Sequence, residues 1–194
     1  MFCDMYEVLN EGEIGKFKLE KFTITNNDIR AMLDGIPRGN YVRLRDNWDV
    51  IMSDTPMEKR SNSSFVLNAH GDVFIAGLGI GLIVLAIQDK EEVKSITIIE
   101  KYSKIIELVG KQLSLNEKVK IIQGDVFEYE FPKGTKFDTI YFDIWNYVNS
   151  DIYEKEMKLL KKKYRKYKRS SKENPNVFVK CWAEYKARYD RRLY

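Results

Sequence analysis

The chain has 194 residues, 44% of them apolar and 32% charged, which suits one domain plus an extension with a buried core and a hydrated surface. Its longest apolar run is interrupted by glycines and is too short to span a bilayer. Two cysteines (Cys3, Cys181) and one histidine (His70) argue against a disulfide framework, a Cys/His zinc site and a charge-relay triad.

Met1-Phe2-Cys3-Asp4 has neither the basic nor the apolar region of a secretory signal, so a cytoplasmic, reducing compartment is expected. Residues 1–69 read as a β-rich extension, a candidate lid. Lys16 to Thr25 alternates, with Phe17 and Leu19, then Phe22 and Ile24, facing one side, which predicts one or two strands. Asn27 is placed to cap a short helix from Asp28 to Leu33, ended by Gly35. Pro37-Arg38-Gly39-Asn40 reads as a turn, and Tyr41–Arg45 with Trp48–Met52 as a hairpin pair. Thr55-Pro56-Met57-Glu58 is a helix start, with Thr55 as cap, Pro56 at the first position and Glu58 reaching back. Asp54 and Glu58 are also placed to face a ligand if the extension folds over the mouth of a site.

Residues 70–194 alternate strand and helix. Strands are expected at 73–76, 95–99, 119–123, 138–142 and 176–181. Between them Ile105, Leu108, Val109, Gln112 and Leu113, and later Tyr153, Met157, Leu160, Tyr164 and Tyr167, recur at helical spacing. This predicts a three-layer α/β fold around a mainly parallel five-stranded sheet. Ligands of such sheets bind beyond the carboxyl ends of the strands.

The first strand runs into Gly77-Leu78-Gly79-Ile80-Gly81, where bare backbone and a helix start can approach a nucleotide-like cofactor. The spacing is not that of the dinucleotide fingerprint, because Leu82 stands where the last glycine belongs. The second strand ends in Glu100, whose forked oxygens can accept from both hydroxyls of a ribose. The third ends in Gly124-Asp125-Val126, where a short acid can accept from an adenine amino group. The fourth ends in Asp143-Ile144-Trp145-Asn146-Tyr147, an acid, an amide and two rings beside the first strand end.

With these four strand ends in order, residues 72–183 resemble a class I S-adenosylmethionine-dependent methyltransferase domain, a Rossmann-like fold. The resemblance implies Gly77, Gly79 and Gly81 around the methionine part of S-adenosyl-L-methionine and Glu100 on its ribose. It implies Asp125 near adenine, with Val126 or Phe127 against the ring, and Asp143 at the reaction site. Four departures stand out. The acid that many members carry two residues before the first glycine is Ile75 here, as in the spermidine-synthase-like branch. Asn146 stands where that branch places further acids. The signature Asn/Asp-Pro-Pro-aromatic is replaced by Asp143-Ile144-Trp145-Asn146, and the chain has no room for a closing edge hairpin.

The leading expectation is therefore a methyltransferase of unknown acceptor, with Asp143 orienting an amine or taking its proton and Trp145, Asn146 and Tyr147 on the substrate. The alternatives are aminopropyl transfer from decarboxylated S-adenosylmethionine, and a non-catalytic module that kept the fold. Asp143 could equally tie down the glycine turn, and Trp145 and Tyr147 could pack under the extension. Residues 151–194 carry 15 Lys/Arg against 6 Asp/Glu. The basic run 158–172 is either a solvated helix face or a contact for nucleic acid.

Overall fold

The computed structural model describes residues 2–33 and 35–191. Two sheets share one continuous apolar core. After a single turn α1 (Met5–Val8), the N-terminal part forms β1 (Gly12–Ile14) and β2 (Phe17–Ile24). The short α2 (Ile29–Leu33), β3 (Gly39–Asp46) and β4 (Asp49–Ser53) follow, the four strands being antiparallel in the order β1-β2-β3-β4. The alternation in β2 buries Phe17 and Leu19 completely. The turn expected at 37–40 is shorter than its sequence suggests: Gly39 and Asn40 already pair with Ile24 and Thr23. Tyr41 holds the bend by donating its hydroxyl to the Pro37 carbonyl at 2.9 Å.

The helix α3 (Pro56–Asn68) leads into the second sheet. Its strands are β5 (Gly71–Ala76), β6 (Val93–Glu100), β7 (Val119–Gln123), β8 (Thr139–Phe142) and β9 (Phe178–Cys181). All pair in parallel, in the order β7-β6-β5-β8-β9. The chain thus runs outward from β5 to β7 and then returns to β8 on the other side. That reversal is the topological switch of a doubly wound α/β sheet, and it opens a crevice at the carboxyl ends of β5 and β8. The residues of β5 from Val73 to Ala76, and all four of β8, are buried, as a strand covered on both faces requires.

Helix α4 (Leu82–Ile87) follows the glycine turn directly, and α5 (Ser103–Leu108) gives way to a 3-10 turn at Gly110–Gln112. The stripe read from Tyr153 to Tyr167 spans α6 (Ser150–Ile152), a π-helical turn at Tyr153–Met157, α7 (Lys158–Tyr164) and a last 3-10 turn. Its Met157, Leu160, Tyr164 and Tyr167 are buried. Tyr164 stacks on Phe74 with ring centroids 5.0 Å apart and donates its hydroxyl to the Val126 carbonyl at 3.0 Å. Tyr164→Phe keeps the stack and strips this bond, so chemical denaturation should register a loss of about 1 kcal/mol.

Much of the basic run is spent inside the molecule. Lys158 pairs with Glu154, Lys161 with Glu184 at 2.6 Å, Lys166 with Glu130, and Arg169 bridges Asp72 and Asp138 at 2.7 and 2.8 Å. After β9 the chain turns through Trp182 into α8 (Glu184–Arg188), and among the described residues no further strand follows. No helix among them is long and apolar enough to cross a membrane.

Candidate cofactor and substrate cleft

A cavity of about 260 Å³ lies at the carboxyl ends of β5, β6, β7 and β8. Gly77, Gly79, Glu100, Asp125, Val126, Asp143 and Trp145 line it. Leu44, Ile51 and Met52 of the N-terminal sheet, Glu58 of α3 and Glu156 of the π-turn complete the wall. Residues of the N-terminal sheet thus roof the cleft.

The glycine turn is set by close approaches. Gly77 has φ +94°, and a Cβ there would run into the carbonyl oxygen of Asp143. Gly79 has φ +53°, and a Cβ there would meet the Met52 sulfur. Both conformations are ones L side chains rarely adopt. Gly81 begins α4, packs against Leu113 and lies outside the cavity wall.

Glu100 is 5% exposed and holds the turn from the side. One oxygen accepts from the Leu78 N–H and the other from the Tyr102 N–H, both at 2.9 Å. Burial raises its pKa, opposed by those N–H groups. The carboxylate lines the cavity and keeps acceptor capacity for a ligand hydroxyl. Asp125 accepts from the Phe127 N–H at 2.9 Å and pairs with Lys101 at 2.8 Å. Burial pushes its pKa up, but Lys101 and the Phe127 N–H outweigh that, and it stays ionised below the usual range. Val126 is buried and Phe127 half exposed, so the loop offers an apolar edge beside a polar one.

On the other side stand Asp143 and Glu58. Asp143 follows β8, and its backbone N–H donates to the Ala76 carbonyl at 2.9 Å, locking the loop beside the glycine turn. Its carboxyl makes no hydrogen bond with a described residue, and crowding by protein atoms raises its pKa to about 7. The Glu58 pKa is raised to about 8, first by burial and then by the charge of Asp143. Both acids thus hold their protons well above the ordinary carboxyl range, Glu58 in part because of the charge of Asp143.

Glu58 is the residue whose position the sequence misassigns. In the capping-box pattern its carboxyl would return to Thr55. Instead Thr55 makes no side-chain cap bond, its hydroxyl meets that of Ser53 at 3.0 Å, and Glu58 turns inward at 7% exposure. Helical spacing explains this. Glu58 shares the buried face of α3 with Asn62, Phe65 and Val66. That face is fixed on β8 by the Tyr141 hydroxyl donating to Asn62 at 2.9 Å and by Phe65 stacked on Tyr141 at 4.2 Å. Asp54 has a structural task, accepting from the Val42 N–H at 2.8 Å.

Trp145 is 9% exposed, and its indole N–H donates to Glu156 at 2.7 Å, so its ring is fixed as part of the wall. Glu156 is a cleft residue that the strand-end reading passes over; it lies in a helical turn fourteen positions after β8 ends. Asn146 and Tyr147 are exposed and outside the wall. Ile75, at the position of the missing acid, is wholly buried in the sheet. His70 is at the opposite end of β5, bonded to the Asn68 carbonyl and Asn174.

No family model and no curated protein matches the chain. Among solved structures it is similar to a putative caffeoyl-CoA O-methyltransferase from Staphylococcus aureus, at 16% identity over 73% of this chain and 59% of that one, with a TM-score of 0.44. It is also similar to the plantazolicin methyltransferase BpumL in complex with SAH, at 17% identity over 58% of this chain and 42% of that one, TM-score 0.42. For the methyltransferase domain of bacterial CtHen1 the values are 16%, 44%, 50% and 0.37. The chain spans less than two thirds of the length of each. The strand order and its crossover carry the fold by themselves: a Rossmann-like, doubly wound α/β sheet roofed by an antiparallel N-terminal sheet.

Proposed function

We propose that the protein is an S-adenosylmethionine-dependent methyltransferase. The observation that carries this reading is the convergence on one cleft of the strained Gly77-Leu78-Gly79 backbone, the Glu100 carboxylate and the Asp125-Val126 loop. The donor set fits an adenosyl group. Glu100 offers a carboxylate acceptor to a ribose hydroxyl, Asp125 an acceptor for an exocyclic amine, and Val126 and Phe127 the sides of a flat slot. Near the glycine turn the backbone can approach a ligand without a side chain intervening.

When bound, the cofactor's sulfonium supplies an activated methyl group, so the protein's share of the work is positioning, exclusion of water and control of a proton. The N-terminal sheet contributes the exclusion through Leu44, Ile51 and Met52. Asp143 is the proton holder beside the glycine turn, with a pKa in the range a general base needs at neutral pH.

Titration calorimetry with S-adenosylmethionine and S-adenosylhomocysteine tests the reading. Saturable binding of both is expected, weakened about tenfold or more by Glu100→Gln, whose amide would set a donor against the Leu78 N–H. Folded protein that binds neither nucleoside ends this assignment.

A further inference from the structure

Glu58 is a buried carboxyl with no hydrogen bond and no ion pair to any described residue, and it lines the cleft. Its oxygens open onto the cleft, where they are available to a ligand. Asp143 lines the same cleft, and its carboxyl is also without a hydrogen-bond partner among the described residues. Glu156 and the fixed ring of Trp145 extend that wall. The one cation in the lining, Lys101, is engaged with Asp125 at the far side. Among the described residues no three acidic, His or Cys side chains are grouped to hold a metal ion. The cleft therefore presents two unpaired carboxyls and an indole face, which together match a compact organic cation with N–H donors.

We propose that Glu58 and Asp143 form the seat of a protonated primary amine, with Trp145 as its wall. This deepens the methyltransferase reading and rests on it for the companion ligands. The ammonium donates to both carboxyls. One of its protons passes to the ionised carboxylate, leaving a neutral amine with a free lone pair and a neutral carboxylic acid, and the acid later returns that proton to water. Charge balances at each stage, and no oxidant or further reactant enters. Two sources carry this chemistry: the nitrogen of an acceptor, or the α-amino group of the cofactor itself, whose usual acidic partner is replaced by the buried Ile75. The titratable groups near the pair are Glu100 and Glu156 in the cleft wall and Tyr141 from β8; Lys59, next to Glu58 in the chain, is outside the lining and pairs with Asp54.

The test is titration calorimetry on the full chain with propylamine and benzylamine, each against its alcohol. Each is run alone, with S-adenosylhomocysteine, and with methylthioadenosine, which lacks the amino-acid part. Two results support the seat. Amines that outbind their alcohols about tenfold or more with S-adenosylhomocysteine in place assign it to an acceptor. S-adenosylhomocysteine outbinding methylthioadenosine by a similar margin assigns it to the cofactor's own amine. In either case Glu58→Gln should remove the margin, together with the proton released on binding, measured in buffers of different ionisation enthalpy. Asp143→Asn is the second variant should the first not fold. If amines bind no better than alcohols, and the substitution leaves the nucleoside margin intact, the proposal is overturned. If neither nucleoside binds, the cofactor reading fails, while the amine comparison on the bare protein still decides this one.

Discussion

Gly77→Ala is expected to destabilise the protein by about 3–4 kcal/mol and to abolish nucleoside binding. Two costs coincide at this position. The backbone has φ +94°, and the added methyl would point into the carbonyl oxygen of Asp143, a backbone atom that cannot swing aside. Relieving the clash means separating the end of β5 from the loop after β8, where the Asp143 N–H bonds the Ala76 carbonyl. Gly134 supplies the control. It has nearly the same φ, +92°, but nothing within 4 Å of an added Cβ, so Gly134→Ala isolates the backbone strain, about 1–2 kcal/mol. Urea denaturation of the two variants measures the difference. Equal losses would mean that the close approach at Gly77 carries no energetic weight.

The second large effect is a dependence of stability on pH set by Glu58 and Asp143. Both are acids whose folded pKa, about 8 and about 7, lies above the ordinary 4.5 and 3.8. Between these limits the folded chain holds protons that the unfolded chain has released. Their contribution is therefore fully present below about pH 4 and is lost as pH rises toward 8, with no further change above it. Glu100, also raised by burial, acts in the same sense. Glu20, lowered to about 2 by its bonds to Lys18 and Arg43, contributes below this window. Because Asp143 keeps partial solvent access, the wild-type loss between pH 5 and 9 is put at about 3–5 kcal/mol, less than the shifts alone would give. Glu58→Gln should cut it by about half and leave a more stable protein at pH 9. Denaturation midpoints across that range are the measurement, and parallel wild-type and variant curves would show that the Glu58 carboxyl is not what resists ionisation.

Such a gain in stability from losing one carboxyl is characteristic of a binding site kept ready at the expense of the fold. Helix α3 is held by Asn62, Phe65 and the Ser61 hydroxyl, which accepts from the Trp182 indole at 2.9 Å, so Glu58 has little room to withdraw.

The parallel sheet was legible from the chain alone because its central strands β5 and β8 are apolar on both faces and four of the five strands are followed by glycine or end in or run into an acid. These are local patterns, and local patterns survive in a linear string. The positions of Gly77, Gly79, Glu100, Asp125 and Asp143 at the strand ends follow from the same alternation. The folded protein alone decided what Glu58 does. Its spacing from Thr55 satisfies a capping box, and its spacing from Asn62 and Phe65 satisfies a buried helical face. Only packing of α3 against β8 chooses between them, because burial of Phe65 and the Tyr141–Asn62 bond outweighs one exposed cap bond. In the same way the ion pairs that part of the basic run makes with Glu130, Glu184, Asp72 and Asp138, all distant in sequence, are formed only in the fold. Charge pairing between distant segments leaves no periodicity behind, so it is decided in three dimensions.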